Sequence, residues 1–230
     1  MEKNENVREK FGKSDLEKYK KLLEQKKLSL FLKKIFDVVL AFFLLLLFSP
    51  IIIIISVWIK LDSEGEIFYR QKRITTNGRE FRIFKFRTMV KDADKLGSAV
   101  TLQNDPRISK VGRKLRKLRL DELPQLINVL IGDMSFVGAR PEVEKYVLRY
   151  TDEMFATLLL PAGITSTASI EFKDEDDIIA KYKSDDVSVD DIYIEKVLPE
   201  KMKYNLAYLE NFSFLEDIKI MFKTVLAVIK

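Results

Sequence analysis

The adjacent carboxylates Asp121 and Glu122 are the residues of this chain best placed to do chemistry. They lie in Leu120-Asp121-Glu122-Leu123-Pro124-Gln125-Leu126, directly after the cations Arg113, Lys114, Arg116, Lys117 and Arg119. The sequence contains neither His nor Cys. Acid/base or nucleophilic work therefore falls to carboxylates, lysines, tyrosines or hydroxyls. Thiolate and imidazole metal sites are excluded as well, so a metal would be a hard cation on oxygen ligands, such as Mg²⁺. Two carboxylates behind a dense run of cations suit the holding and attack of a phosphate. The plain structural alternative is a helix-capping Asp followed by a first-turn Glu. On these residues alone both readings stay open.

The elements that must position the pair are legible in part. Residues 109–120 place Val111, Leu115 and Leu118 on one stripe with cations around it, which predicts a basic amphipathic helix. Pro124 suits the first turn of a following helix towards Leu130, so Asp121 and Glu122 fall where two helices meet. Upstream, Ile67-Phe68-Tyr69 and the run Phe81 to Arg87 flank Thr76-Asn77-Gly78, a hairpin signal. The second run presents Arg82, Lys85 and Arg87 in part on one face, and a solvated basic strand edge is the common reading of that pattern. Downstream, Phe136 to Pro141 is expected to be a tight loop and residues 142–158 a helix. Pro161-Ala162-Gly163 is expected to be a break and residues 171–191 an acidic, solvated loop. Residues 213–229 predict a second amphipathic helix, with Leu215, Ile218, Phe222, Val225 and Ile229 opposite Lys219 and Lys223.

A membrane segment precedes all of this. Val38 to Ile59 contains no charged residue and, as an unbroken helix, would span the ~30 Å bilayer core. It is too long and begins too far into the chain for a cleaved signal peptide. Ser49-Pro50 interrupts it near the middle: proline removes a backbone donor, and a serine hydroxyl can bond a backbone carbonyl. Lys26, Lys27, Lys33 and Lys34 precede the segment, and Lys60, Arg70, Lys72 and Arg73 follow it. The positive-inside bias puts both flanks in the cytoplasm, which a re-entrant helix satisfies and a straight span does not. A kinked transmembrane helix is the alternative, because proline is tolerated in such helices. Residues 1–30 are charged and helix-prone, and read as a solvated or interfacial extension.

Charge is divided along the chain, whose net charge is +5. Residues 60–119 carry 17 Lys/Arg against 7 acids, whereas residues 120–230 carry 12 against 21. The basic part suits an anionic membrane surface or a phosphorylated ligand. The acidic half argues against nucleic acid as the partner.

The pieces, taken in order, resemble the small monotopic phosphoglycosyl transferases, bacterial sugar transferases that start glycan assembly on polyprenyl phosphate. The matching residues are Ser49-Pro50, Lys85-Phe86-Arg87-Thr88-Met89, Leu115-Arg116 and Leu120 to Leu126. They continue with Asn128-Val129-Leu130, Gly132 to Gly138, Arg140-Pro141 and Gly163-Ile164-Thr165. Together they cover about residues 31–222, and their order makes the signal specific. The resemblance implies transfer of a phospho-sugar from a UDP-sugar to undecaprenyl phosphate with release of UMP, Mg²⁺ assisting. Asp121 matches the nucleophile, and Glu122 the neighbour that assists it and the metal. Arg116 and Arg140 match phosphate contacts, and Lys85, Arg87 and Pro141 belong to the substrate motifs. Ser49 and Pro50 match the break of a re-entrant helix.

The fold the resemblance implies is α/β and mainly helical: a monotopic membrane protein with a re-entrant helix, a small β-hairpin and amphipathic interfacial helices. Its parts are an extension (1–30), the membrane helix (31–60) and a cytoplasmic catalytic domain (61–230). The expected place is the cytoplasmic face of a bacterial inner membrane. Expected partners are the UDP-sugar, undecaprenyl phosphate and membrane lipid, with a homodimer as a candidate assembly. Two departures from the family pattern stand out. Ala139 replaces the proline usual before Arg140, which predicts a less rigid loop. Ser166 to Glu171 does not follow the family's usual continuation, so the donor sugar is not carried over. The competing reading is a membrane-tethered basic protein that binds anionic lipid or nucleic acid without catalysis.

Overall fold

The computed structural model describes residues 6–93, 105–172, 175–182 and 187–229. The chain begins with two short helices, α1 (Val7–Lys13) and α2 (Glu17–Glu24). Asn6 and Glu9 form a reciprocal capping box that starts the first. These helices do not stand in solvent as an extension. Val7, Leu16, Tyr19 and Leu23 are buried in the main core. Tyr19 Oη donates to Glu153 at 2.7 Å, and Lys10 Nζ to the carbonyl of Leu148 at 3.0 Å. The scattered apolar points of the sequence are thus the inner faces of two helices, and only the charged faces meet water.

Helix α3 (Lys27–Asp62) has 36 residues, about 54 Å at the standard rise, and continues through Pro50. It is the one described helix long and apolar enough to cross a membrane. Pro50 cannot donate to the carbonyl of Leu46, and the Ser49 hydroxyl bonds that same carbonyl at 2.8 Å. The serine therefore satisfies an acceptor that lipid could not. Phe43, Leu46, Leu47, Ile53 and Ile54 are exposed along the helix. Its other side lies on the body at both ends. Lys33 Nζ donates to Asp217 at 2.6 Å and to the carbonyl of Val137 at 2.7 Å. Beyond Pro50, Ile55 and Ile59 pack with Phe86, Val111 and Leu115.

The strands are short. β1 (Phe68–Tyr69) pairs antiparallel with β4 (Lys85–Phe86), and β2 (Lys72–Thr75) with β3 (Arg79–Arg82). The expected hairpin is present around Thr76-Asn77-Gly78, where Asn77 and Gly78 take positive φ of 57° and 70°. Then come α4 (Lys110–Lys117) and α5 (Gln125–Leu130), as the sequence predicts. Leu118 departs from the expected stripe: it is 60% exposed, because α4 ends one residue earlier.

The segment expected to be a loop before Arg140 begins with a strand, β5 (Met134–Val137), which pairs in parallel with β6 (Ala162–Thr165). The expected break at Pro161 is the entry to β6. All of β5 is buried, Ser135 included, so no solvent-facing side marks these four residues as a strand. The expected helix over 142–158 is instead α6 (Glu144–Val147) and a 3₁₀ stretch, Met154–Leu159. The acidic run is partly helical rather than loop. It begins at the last residue of α7 (Thr167–Glu171) and includes α8 (Glu175–Tyr182) and most of α9 (Val189–Ile192), while residues 173–174 and 183–186 lie outside the described residues. Buried Ile179 and Ile192 account for this: apolar anchors hold helices whose outer faces are acidic. A π turn, Tyr193–Val197, leads into α10 (Leu198–Glu210), followed by α11 (Phe214–Ile229). Leu215, Phe222, Val225 and Leu226 of α11 are exposed, an apolar stripe facing outward.

Candidate active site

The Asp-Glu pair sits on a turn that the backbone makes at some cost. Helix α4 ends with Arg119 in the left-handed region, φ 56°, which costs an L-residue about 1–2 kcal/mol. A 3₁₀ turn, Leu120–Glu122, then carries both carboxylates, and Pro124 starts α5. Leu120 and Leu123 pack against the cluster that includes Ile55, Phe86 and Leu115, which fixes the turn. The capping alternative is not what forms. The α5 N-terminus carries no side-chain cap, and neither does the turn.

Glu122 is locked by two cations. Lys85 Nζ donates to its Oε1 at 2.8 Å, and Arg140 reaches Oε1 with Nη2 at 2.6 Å and Oε2 with Nη1 at 3.4 Å. Asp121 is 9% exposed, and among the described residues no side chain is hydrogen-bonded to its carboxylate. Arg116 approaches from α4, its Nε donating to Thr88 Oγ1 at 2.9 Å. All five side chains border one broad cleft.

Each cation is placed by a specific contact. Asn128, fully buried, accepts from the N–H of Phe84 at 2.7 Å and donates to the carbonyl of Arg82 at 3.0 Å. That pins the strand carrying Lys85 to α5. Gly112 lets α4 lie directly on the chain at Thr88: a Cβ there would sit 2.0 Å from the Thr88 carbonyl oxygen. The Arg140 loop rests on β6 through Gly138 N–H to Thr165 O at 3.0 Å and Gly163 N–H to Ala139 O at 2.9 Å. Ala139 contributes its carbonyl to this pair, an acceptor a proline would also offer, so the departure at this position keeps the bond.

Two further expected substrate residues are held by backbone contacts, Arg87 at the border of the same cleft and Pro141 behind it. Arg87 donates to the carbonyls of Glu64 and Ser63 at 2.6 and 2.7 Å, tying the C-terminal end of α3 to the chain just after β4. Pro141 is buried and its carbonyl accepts from Arg73 Nη1 at 3.0 Å, so it shapes the Arg140 loop. Arg73 and Glu142, 4.0 Å apart, also border the cleft, as do Tyr193 and Lys201. Sequence reasoning gave these four no part. Glu142 and Tyr193 are 51 positions apart, a pairing that no local spacing reports.

The two neighbouring carboxylates are driven apart in acidity. Burial, and then the charge of Glu122, push Asp121 above the usual Asp value, against Lys85, Arg116 and Arg140. Burial alone would raise Glu122 too, but Arg140 and Lys85 hold it well below the usual Glu value. Burial lowers Lys85 and Arg116. Glu122 is thus the fixed anion that orders the cations, and Asp121 is the more basic carboxylate with its oxygens free. Such a split marks two carboxylates with different tasks.

The donor set fits Mg²⁺ in a limited way. No third acidic side chain joins the pair among the described residues, and Glu122 already serves two cations. Mg²⁺ commonly uses one or two carboxylates with water and substrate phosphates. Such an ion would be held by Asp121, since Glu122 is already committed to Lys85 and Arg140.

Residues 28–230 match the bacterial sugar transferase family. The chain is 38% identical to the UDP-glucose:undecaprenyl-phosphate glucose-1-phosphate transferase of Escherichia coli K12, over 84% of this chain and 39% of that protein. It is 36% identical to the UDP-N-acetylgalactosamine-undecaprenyl-phosphate N-acetylgalactosaminephosphotransferase of Aeromonas hydrophila, over 85% and 43%. With the exopolysaccharide production protein ExoY of Rhizobium meliloti it shares 36% identity, over 85% of this chain and 84% of that protein. The chain therefore spans about two fifths of the first two relatives and most of the third.

Proposed function

We propose, on the premise that this chain belongs to the bacterial sugar transferases, that it moves a phospho-sugar from a UDP-sugar to undecaprenyl phosphate. The observation that carries the mechanism is the free, raised carboxylate of Asp121 beside a Glu122 locked by Lys85 and Arg140. An Asp121 oxygen attacks the phosphorus bonded to the sugar. The bond from that phosphorus to the bridging oxygen breaks, and UMP leaves with the electron pair. The product is an acyl phosphate that joins Asp121 to the phospho-sugar. A phosphate oxygen of the lipid then attacks the same phosphorus and displaces the Asp121 carboxylate, which gives lipid diphosphate-sugar. UMP leaves readily as an anion, so no strong general acid is required.

Phosphoryl transfer depends on position and on neutralised charge. Lys85, Arg116 and Arg140 hold the phosphates against the carboxylates. Mg²⁺, when bound, offsets charge on the diphosphate. The acceptor is a lipid, so the site must be held at the membrane surface. The packing of α3 onto the body on both sides of Pro50 supports a re-entrant helix with both flanks in the cytoplasm. The exposed stripe of α11 supports a second, interfacial contact. We place the protein accordingly at the cytoplasmic face of the inner membrane.

The test is the donor half-reaction. Purified protein with Mg²⁺ and a panel of UDP-sugars, without lipid, is expected to release about one UMP per active site in a burst. Mass spectrometry is expected to find a phospho-sugar on the peptide that contains Asp121. Rapid turnover with lipid, but no UMP and no adduct without it, would overturn the two-step mechanism in favour of direct transfer.

A further inference from the structure

We propose that the wall of the cleft beyond Arg140, formed by Glu142, Tyr193, Lys201 and Glu175, receives the sugar ring of the donor, and that Glu175 selects among UDP-sugars. The proposal rests on the function argued above and adds the part of the site that reads the sugar. Tyr193 Oη donates to Glu142 Oε1 at 2.5 Å and accepts from Lys201 Nζ at 3.1 Å. Lys201 also donates to Glu175 Oε2 at 3.1 Å and lies 3.8 Å from Glu142 Oε1. Tyr193, Lys201 and Glu142 are 3%, 7% and 7% exposed, yet all border the cleft that holds Asp121.

Charge divides this cleft into two ends. Around Asp121 the cations Lys85, Arg116 and Arg140 outnumber the two carboxylates, which suits phosphates. At the far wall Glu142 and Glu175 face Lys201 and Arg73, a balanced set that offers no excess of positive charge. Tyr193 spends its one donor hydrogen, and Lys201 two of its three, inside the network. Glu175 is the open member: its side chain is 29% exposed, and Lys201 holds Oε2 while Oε1 has no hydrogen-bond partner among the described residues. A carboxylate oxygen there repels phosphate and accepts from hydroxyl or amide N–H groups, the groups by which sugars differ.

Distance along the site agrees. The sugar stays on the phosphorus that Asp121 attacks, so it must lie next to the Glu122–Arg140 pair. Glu142 follows Arg140-Pro141 directly in the chain and lies 3.8 Å from Lys201, which holds Glu175, so the wall begins beside that pair. Helix α7 completes the wall with Ala168, Ser169 and Ile170, within the segment that departs from the family pattern. The network that carries Glu175 is anchored to α10 and to the residue after Pro141, so the reading group is fixed relative to the phosphate clamp.

The experiment uses the full-length protein and measures UMP release with UDP-glucose, UDP-galactose, UDP-N-acetylglucosamine and UDP-N-acetylgalactosamine. Glu175→Gln and Glu175→Asp are compared with the wild type, together with inhibition by UMP. Ratios of kcat/KM between donors are the readout, because they cancel any loss of folded protein. Glu175→Gln is expected to change at least one ratio by about tenfold, the effect of a lost hydrogen bond in a site built to make it. Glu175→Asp, which withdraws the carboxylate, is expected to shift the same ratio, with UMP inhibition within about twofold of wild type. Unchanged ratios with a uniform loss across donors would overturn the proposal and leave the network a structural role. Ratios unchanged with weakened UMP inhibition would overturn it too, and would put the uridine on this wall. A wild type that releases UMP from no donor would instead sink the parent function.

Discussion

Glu122→Gln keeps the shape of its side chain and removes the charge that orders the site. Glu122 Oε1 accepts from Lys85 at 2.8 Å and from Arg140 at 2.6 Å, with side-chain exposures of 13%, 19% and 35% for the three residues. Removing one member of a buried ion pair costs about 3–5 kcal/mol, because the partner charges stay buried. Arg140 keeps contact with water and Asp121 can take up part of the partnership, so the lower end, about 3 kcal/mol, is expected. For a chain of this size that lowers Tm by about 6–12 °C.

The effect has a sign in pH. The folded value of Glu122 lies below the ordinary one, so its stabilisation is complete above the unfolded pKa near ~4.3 and is lost as pH falls through the folded value. Wild type and variant should therefore differ at pH 7.5 and converge in strong acid. Circular dichroism melts in detergent across pH measure this. In the same variant Lys85 and Arg140 turn to Asp121 and lower its basicity, so the UMP burst should slow by about a hundredfold or more. A Tm within about 2 °C of wild type, or a difference that ignores pH, would refute the reasoning.

Other outcomes follow from the same geometry. Asp121→Asn should abolish the burst yet leave the protein at least as stable as wild type at pH 7.5. The folded state holds the Asp121 proton more tightly than the unfolded state, so ionised Asp121 weakens the fold above its unfolded pKa near ~3.9; a lower Tm for the variant would contradict this. The wild-type burst should slow in acid as Asp121 takes up its proton, at a pH above that ordinary value; a rate that stays level down to pH ~4 would exclude it as the titrating nucleophile. Lys27→Cys and Lys72→Cys, made singly in a chain without native cysteine, should react alike with an impermeant thiol reagent in spheroplasts; labelling of one alone would mean a spanning helix. Phe222→Glu on the exposed stripe of α11 should reduce vesicle flotation and turnover on lipid acceptor, and unchanged flotation would mean that this face is not a membrane contact.

The sequence narrowed the candidate chemistry by elimination, a family resemblance assigned it to Asp121 and Glu122, and pattern gave the local frame. Without His or Cys, the Asp-Glu pair behind its basic helix was the one dense set of reactive groups, and the apolar segment with Ser49-Pro50 announced a membrane. Periodicity placed α4 and α11, Pro124 placed α5 and the Thr76-Asn77-Gly78 turn placed the hairpin, because each signal is carried by residues close in sequence. Tertiary structure decided the rest, because those contacts join distant positions. It turned Glu122 into the locked anion by bringing Lys85 and Arg140 to it across separations of 37 and 18 residues. It tied Arg87, which also borders the cleft, to the end of α3, since one guanidinium meets whichever acceptor the fold brings near. The parallel pairing of β5 with β6 was hidden, because a four-residue strand buried on both faces has no solvent side to mark it. The Glu142–Tyr193–Lys201–Glu175 wall was hidden because its members are scattered over some sixty positions, and single polar residues look solvated until packing removes the water between them.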